Sequence, residues 1–159
     1  MKIMRKIAVS VLFILLLLSG CTLQHVWSGT LAIMNCTKDT LHVISNVESR
    51  EPLSYPGGEF DILPGRVVRI AEMKSHSEAL IDIEHLIGNY DEAFITVSCD
   101  ADGVDYSRTW TYSERNNGSK QLFNLDDCSL DIGIDAHKGI SLTVKSYHFN
   151  VYKEDMTRQ

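Results

Sequence analysis

The sequence predicts an all-β protein: a mainly antiparallel β-sandwich of about 8–9 strands, with one short helix over 76–87. Three observations lead there. Apolar and polar residues alternate in short runs, most clearly at Ala93-Ile95-Val97-Cys99 and along 104–112. Turn pairs such as Pro64-Gly65 and Asn117-Gly118 separate the runs. The length of 159 residues, 44% of them hydrophobic, suits one ordinary domain with a single core.

In chain order, 30–36 and 40–46 read as two strands around the turn pair Lys38-Asp39. The stretch 47–65 reads as one long loop, with Tyr55 at its centre between Ser54 and Pro56. Connections of that length are often functional, so Tyr55 is a candidate binding residue. Pro64-Gly65 suits the centre of a type II turn, after which 66–73 returns as a strand. In 76–87, Ala79, Ile83, Leu86 and Tyr90 follow helical spacing, although Ile81 and Ile83 also alternate with acids as a strand would. Ser75 with Glu78 forms a capping-box pattern, and Gly88-Asn89 a helix stop, which favours the helix.

From residue 92 a meander is expected. Strands at 92–99 and 104–114 flank the Asp100–Gly103 turn, and Asn117-Gly118 turns the chain into a strand over 120–125. Strands over 128–134 and 140–152 complete it. In the last of these the apolar phase shifts between Val144 and Tyr147, which predicts a bulge near Lys145-Ser146. The resulting organisation is a leader over 1–20, a tether over 21–28, a sandwich over 29–152 and a polar tail over 153–159.

The leader has its own signature. Lys2, Arg5 and Lys6 precede an apolar run, 7–18, broken only by Ser10. As a helix this run is about 18 Å long, well short of a bilayer core of about 30 Å, and the layout is that of a secretory signal peptide. The run ends in Leu18-Ser19-Gly20-Cys21, which resembles the lipobox of bacterial lipoproteins. The resemblance implies that the Cys21 thiol receives diacylglycerol and that a peptidase removes residues 1–20. Cys21 would then anchor the mature chain to a membrane. Thr22, rather than Asp, implies sorting to the outer membrane if the host is Gram-negative. Losing Lys2, Arg5 and Lys6 but no acid takes the net charge from −6 to −9. Such a domain is unsuited to nucleic acid or to flat docking on anionic lipid, so the lipid on Cys21 should be its membrane contact.

Export also frames the other cysteines. An oxidising compartment predicts one disulfide among Cys36, Cys99 and Cys128. Three pairings are open, and Cys99–Cys128 is favoured because each lies in phase with the apolar face of its strand. No zinc-like spacing accompanies them. The run Asp100, Asp102, Gly103, Asp105 resembles a calcium loop only superficially, since its glycine comes early and the distal position is Thr111. A hairpin turn explains the same residues. Glu84 beside His85 is the nearest approach to an acid–base couple, but adjacent helical residues do not face one another. No nucleophile motif is present, and no cofactor or metal is expected.

Strand 104–112 is the most informative. Val104, Tyr106, Arg108, Trp110 and Tyr112 share one face, with Arg108 interrupting the aromatics. That face is either core, with Arg108 pinned or stacked on Trp110, or an interaction surface of the aromatic-plus-Arg kind. The leading expectation is therefore a non-enzymatic envelope lipoprotein that binds another envelope protein as an accessory of a surface or secretion assembly. An inhibitor or immunity lipoprotein against a cationic enzyme or toxin is the alternative. A small-ligand carrier or hydrolase is the third.

Overall fold

In the computed structural model, residues 24–53, 58–137 and 140–159 are described. They form nine strands: β1 (Gln24–Asn35), β2 (Leu41–Ser45), β3 (Gly58–Ile62), β4 (Val67–Ser75), β5 (Phe94–Ala101), β6 (Val104–Thr111), β7 (Ser129–His137), β8 (Ile140–Val151) and β9 (Thr157–Arg158). The first sheet has the order β4-β1-β8-β7, the second β3-β2-β5-β6-β9. Packed face to face they make the expected β-sandwich. All neighbours are antiparallel except β1 and β8, which run parallel from Gln24↔Ile140 to Asn35↔Val151.

The inner faces follow from alternation. Leu31 and Ile33 of β1 share a face with Tyr147 and Phe149 of β8, while Ile95, Val97 and Cys99 of β5 share one with Trp110, Arg108 and Tyr106 of β6. The sheets meet where Trp110 packs edge-on against Phe149, ring centroids 5.2 Å apart. Each such side chain, fully buried, contributes ~1.5–3 kcal/mol.

Several turns form as expected. Arg66 N–H donates to Leu63 C=O across Pro64-Gly65, where Gly65 has φ +70°. Asp102 and Gly103 both have positive φ, as a type I′ hairpin between β5 and β6 requires, and the Asp100 carboxylate accepts from Gly103 N–H at 2.8 Å. The acids of that turn thus have a local structural use.

Other elements differ from expectation. The 47–65 loop contains β3, whose Phe60 and Ile62 point into the core. No strand forms at 120–125; instead Leu122 and Phe123 enter the core from an irregular segment. Side chains compete with the ladder there, since Gln121 N–H donates to the Asp127 carboxylate at 2.8 Å. β8 has no bulge at Lys145-Ser146, because its register with both neighbours runs unbroken. Its two apolar rows lie on opposite faces of one continuous strand, and the register shift falls between Leu31 and Ala32 instead.

The 76–87 helix reduces to a 3-10 turn (Glu78–Leu80) and a single turn, α1 (Ile83–Leu86). The Ser75–Glu78 cap does not form: Glu78 pairs with Lys145 at 2.5 Å, and Asp82 caps α1 by accepting from His85 N–H at 2.8 Å. Ile81, Ile83, Leu86 and Ile87 are all buried, satisfying both patterns in the sequence. This segment lies so close to β1 that a Cβ on Gly29 would fall 2.6 Å from Ile81 Cγ2.

At the ends, β1 begins at Gln24, inside the stretch read as a tether. The polar tail is ordered: Met156 is buried and β9 pairs with β6.

Candidate functional site

The aromatic face of β6 is core. Trp110 and Tyr112 are buried, and Arg108 is held from three sides. Its guanidinium donates to Asp155 C=O at 3.0 Å and to Lys120 C=O at 3.1 Å, and lies 5.0 Å from the Trp110 ring centroid. Trp110 Nε1–H donates to the same Lys120 carbonyl at 3.2 Å. Lys120 in turn reaches Asp155 and Asn150 C=O, each at 2.5 Å. Tyr106 is half-buried, with the Lys153 ammonium 4.5 Å from its ring centroid. These groups tie the 119–121 and 150–155 segments to the sheet, with Trp110 and Tyr112 buried and Arg108 half-buried.

The three cysteines at 36, 99 and 128 are thiols, and the expected Cys99–Cys128 bridge is not made. Both are inward in phase but in different surroundings. Cys99 lies near Asp39, Lys153 and Asp100, whereas Cys128 lies near Asp127 and Lys120. Burial raises both thiol pKa values, that of Cys128 to about 12. Cys21 and Tyr55 lie outside the described residues.

His85 and Glu84 do not work together. His85 Nδ1 meets Asp82 at 2.7 Å, while Glu84 accepts a hydrogen bond from the Tyr112 hydroxyl. Arg115 covers that site, 3.7 Å from the Tyr112 ring centroid and 3.8 Å from Glu84. An open cleft of about 440 Å³ lies between the 45–53 stretch and Phe60, Arg69 and Ile70. Among the described residues no set of three His, Cys, Asp or Glu is placed to hold a metal.

The chemistry that stands out is on β7. Leu130, Ile132 and Ile134 stand opposite Tyr147, Lys145 and Thr143, hence on the inner face of the first sheet. Yet they are 45%, 59% and 77% exposed, the exposure rising along the strand. Ile140, across the hairpin, is exposed too. At this level the centre of the sheet is shielded instead by Lys145, held between Glu78 and the Trp27 ring. On the other face of β7 stand Asp131, Gly133 and Asp135. Asp131 lies 3.9 Å from His148 and is largely exposed. A Cβ on Gly133 would meet nothing within 4 Å.

The remaining sheet edges are managed in other ways. Along β4, Ser49 Oγ accepts from Glu72 N–H at 2.8 Å and Glu51 N–H donates to Glu72 C=O at 2.9 Å. The far side of β6 pairs with β9. β3 turns its apolar residues inward and presents Glu59 and Asp61, which hold His42 at 3.3 and 2.9 Å. β7 alone, among the described residues, combines an unpaired edge with an exposed apolar row.

Alternation along 128–134 places these residues on one apolar face without telling whether that face is covered. The available signal was Gly133 in mid-strand, between two isoleucines and two aspartates. No protein-family model matches the chain, and no curated protein matches it either.

Proposed function

We propose that the protein is a non-enzymatic lipoprotein of the cell envelope, anchored through lipid on Cys21, whose β-sandwich binds another envelope protein as an accessory of a surface or secretion assembly. The observation that carries the binding role is the row Leu130, Ile132 and Ile134 on an unpaired edge strand. A contiguous exposed apolar row is the usual mark of a contact surface, and an open edge adds unpaired backbone groups to it. The anchoring role is supported by the leader and by Leu18-Ser19-Gly20-Cys21.

A second reading, an inhibitor or immunity lipoprotein against a cationic enzyme or toxin, is favoured by Asp131 and Asp135 on the opposite face of the same strand and by the acidic net charge. Both readings require a protein partner and differ in its charge.

The full chain and a Cys21→Ser variant, expressed in a bacterial host, test the anchor. The expected wild-type product lacks residues 1–20, carries acyl chains by intact mass and sediments with membranes. Equal mass and equal fractionation of the two proteins would overturn it. Cross-linking in intact cells should give a heteromeric adduct, and its absence from every exposed position would remove the binding role.

A further inference from the structure

We propose that β7 accepts an extended segment of the partner as an added outer strand of the first sheet. The segment alternates apolar with cationic residues and places one bulky side chain over Gly133. This rests on the protein-binding reading above and goes further by naming the edge and the chemistry of what pairs there.

Four observations converge. First, β7 spans nine residues and its side away from β8 is unpaired among the described residues, so it presents a continuous row of backbone donors and acceptors. Second, Ile132 and Ile134 become steadily more exposed along the strand, and apolar residues of an added strand would cover them. Third, Gly133 has no reason within this chain to be glycine. Its φ is not in the left-handed region, and a Cβ there would touch nothing. A glycine with open space above it, in mid-edge, leaves room for a large side chain from a neighbouring strand. Fourth, Asp131 and Asp135 flank that space on the same face, so the residues two before and two after the bulky one should be Lys or Arg.

The same residues argue against other occupants. The run Leu130-Asp131-Ile132-Gly133-Ile134-Asp135-Ala136 is nearly symmetric about Gly133. An antiparallel second copy in register would therefore set Asp131 of one chain opposite Asp135 of the other, twice, with like charges facing. A bilayer would leave the open edge unpaired in hydrocarbon and desolvate both carboxylates.

The probe is a labelled peptide, Thr-Lys-Val-Tyr-Val-Lys-Thr, with a second peptide carrying Glu in place of Lys. Each is titrated against the detergent-solubilised full chain. The Lys peptide should bind more tightly, with an affinity that falls as salt rises. Combining Asp131→Lys with Asp135→Lys should weaken it about tenfold and transfer the preference to the Glu peptide. Both positions are exposed, and an unchanged melting curve shows that the variant is folded. Equal binding of the two peptides, or no binding of either, would overturn the proposal.

In cells, a photoreactive side chain at Ile134 should capture a different protein, whereas one at Ile44, exposed on the second sheet, should not. A partner captured from Ile44 but not Ile134 would overturn docking at β7 while leaving the protein-binding reading intact. Capture at neither position would overturn docking at β7. Capture at Ile134 of lipid, of a second copy or of the same chain's own residues would also overturn the proposal.

Discussion

The guanidinium of Arg108 lies 5.0 Å from the ring centroid of Trp110, and both side chains donate to the carbonyl of Lys120. One backbone oxygen thus locks an irregular segment to β6. Replacing Arg108 by Ala should cost about 1–3 kcal/mol, through lost charge-assisted bonds and a bare carbonyl. Trp110→Ala should cost more, about 3–5 kcal/mol, by opening the centre of the core. Urea unfolding monitored by circular dichroism measures both. An Arg108→Ala protein of wild-type stability would contradict the pinning described here.

Gly29 predicts a steric effect. An added methyl group would meet Ile81 Cγ2 at 2.6 Å and Leu86 Cδ2 at 3.2 Å, and Ile81 is packed on all sides. Gly29→Ala should therefore destabilise the domain by about 1–3 kcal/mol despite the gain in chain stiffness. Adding Ile81→Val should recover part of the loss, so thermal melts of the single and double variants should be non-additive.

Tyr112 predicts alkaline behaviour. Burial first, and then the hydrogen bond to Glu84, push its phenol up to about 12 from the usual 10. The folded state thus holds that proton more tightly than the unfolded state. Its stabilising contribution is complete below pH 10 and is lost as pH rises from about 10 to about 12. Tyr112→Phe should flatten that decline in unfolding free energy. Absorbance at 295 nm should show a tyrosine step above pH 10 in the native wild type that is missing from the native Tyr112→Phe variant.

Cys128 predicts slow thiol chemistry. Burial is the main reason that its pKa lies near 12, and nearby Asp127 adds to the shift. At pH 8 the native protein should resist alkylation by iodoacetamide at Cys128, whereas urea-unfolded chain should react readily. Peptide mapping after oxidation should recover Cys99 and Cys128 unlinked to one another. A Cys99–Cys128 bridge in the map would contradict the separate surroundings described for them.

Alternation alone carries much of this architecture. The phase of Ala93-Ile95-Val97-Cys99 correctly gives the inner face of β5, and Pro64-Gly65 marks a real turn. Periodicity tells which residues share a face, however, and not whether another layer covers it. That is why Trp110 and Ile134, equally apolar and equally well phased, end with opposite fates. β3 was hidden because it is short and starts at a glycine within a loop-like stretch. The 120–125 segment misled in the other direction: Leu122 and Phe123 are buried, but Gln121, Asn124 and Asp127 bond locally and prevent a ladder. The edge of the first sheet was illegible because strand order depends on a long-range crossover that no local pattern encodes.

The parallel pairing of β1 with β8 has a consequence for how the molecule matures. The first and last long strands lie side by side at the middle of one sheet, about a hundred residues apart in the chain. A nascent polypeptide emerging amino-terminus first has β1 in hand from the outset but nothing to seat against its inner neighbour position. Closure must await release of β8, so the chain remains threadable until that strand has been made. Loss of β8 should leave an unclosed, protease-sensitive product rather than a shortened domain.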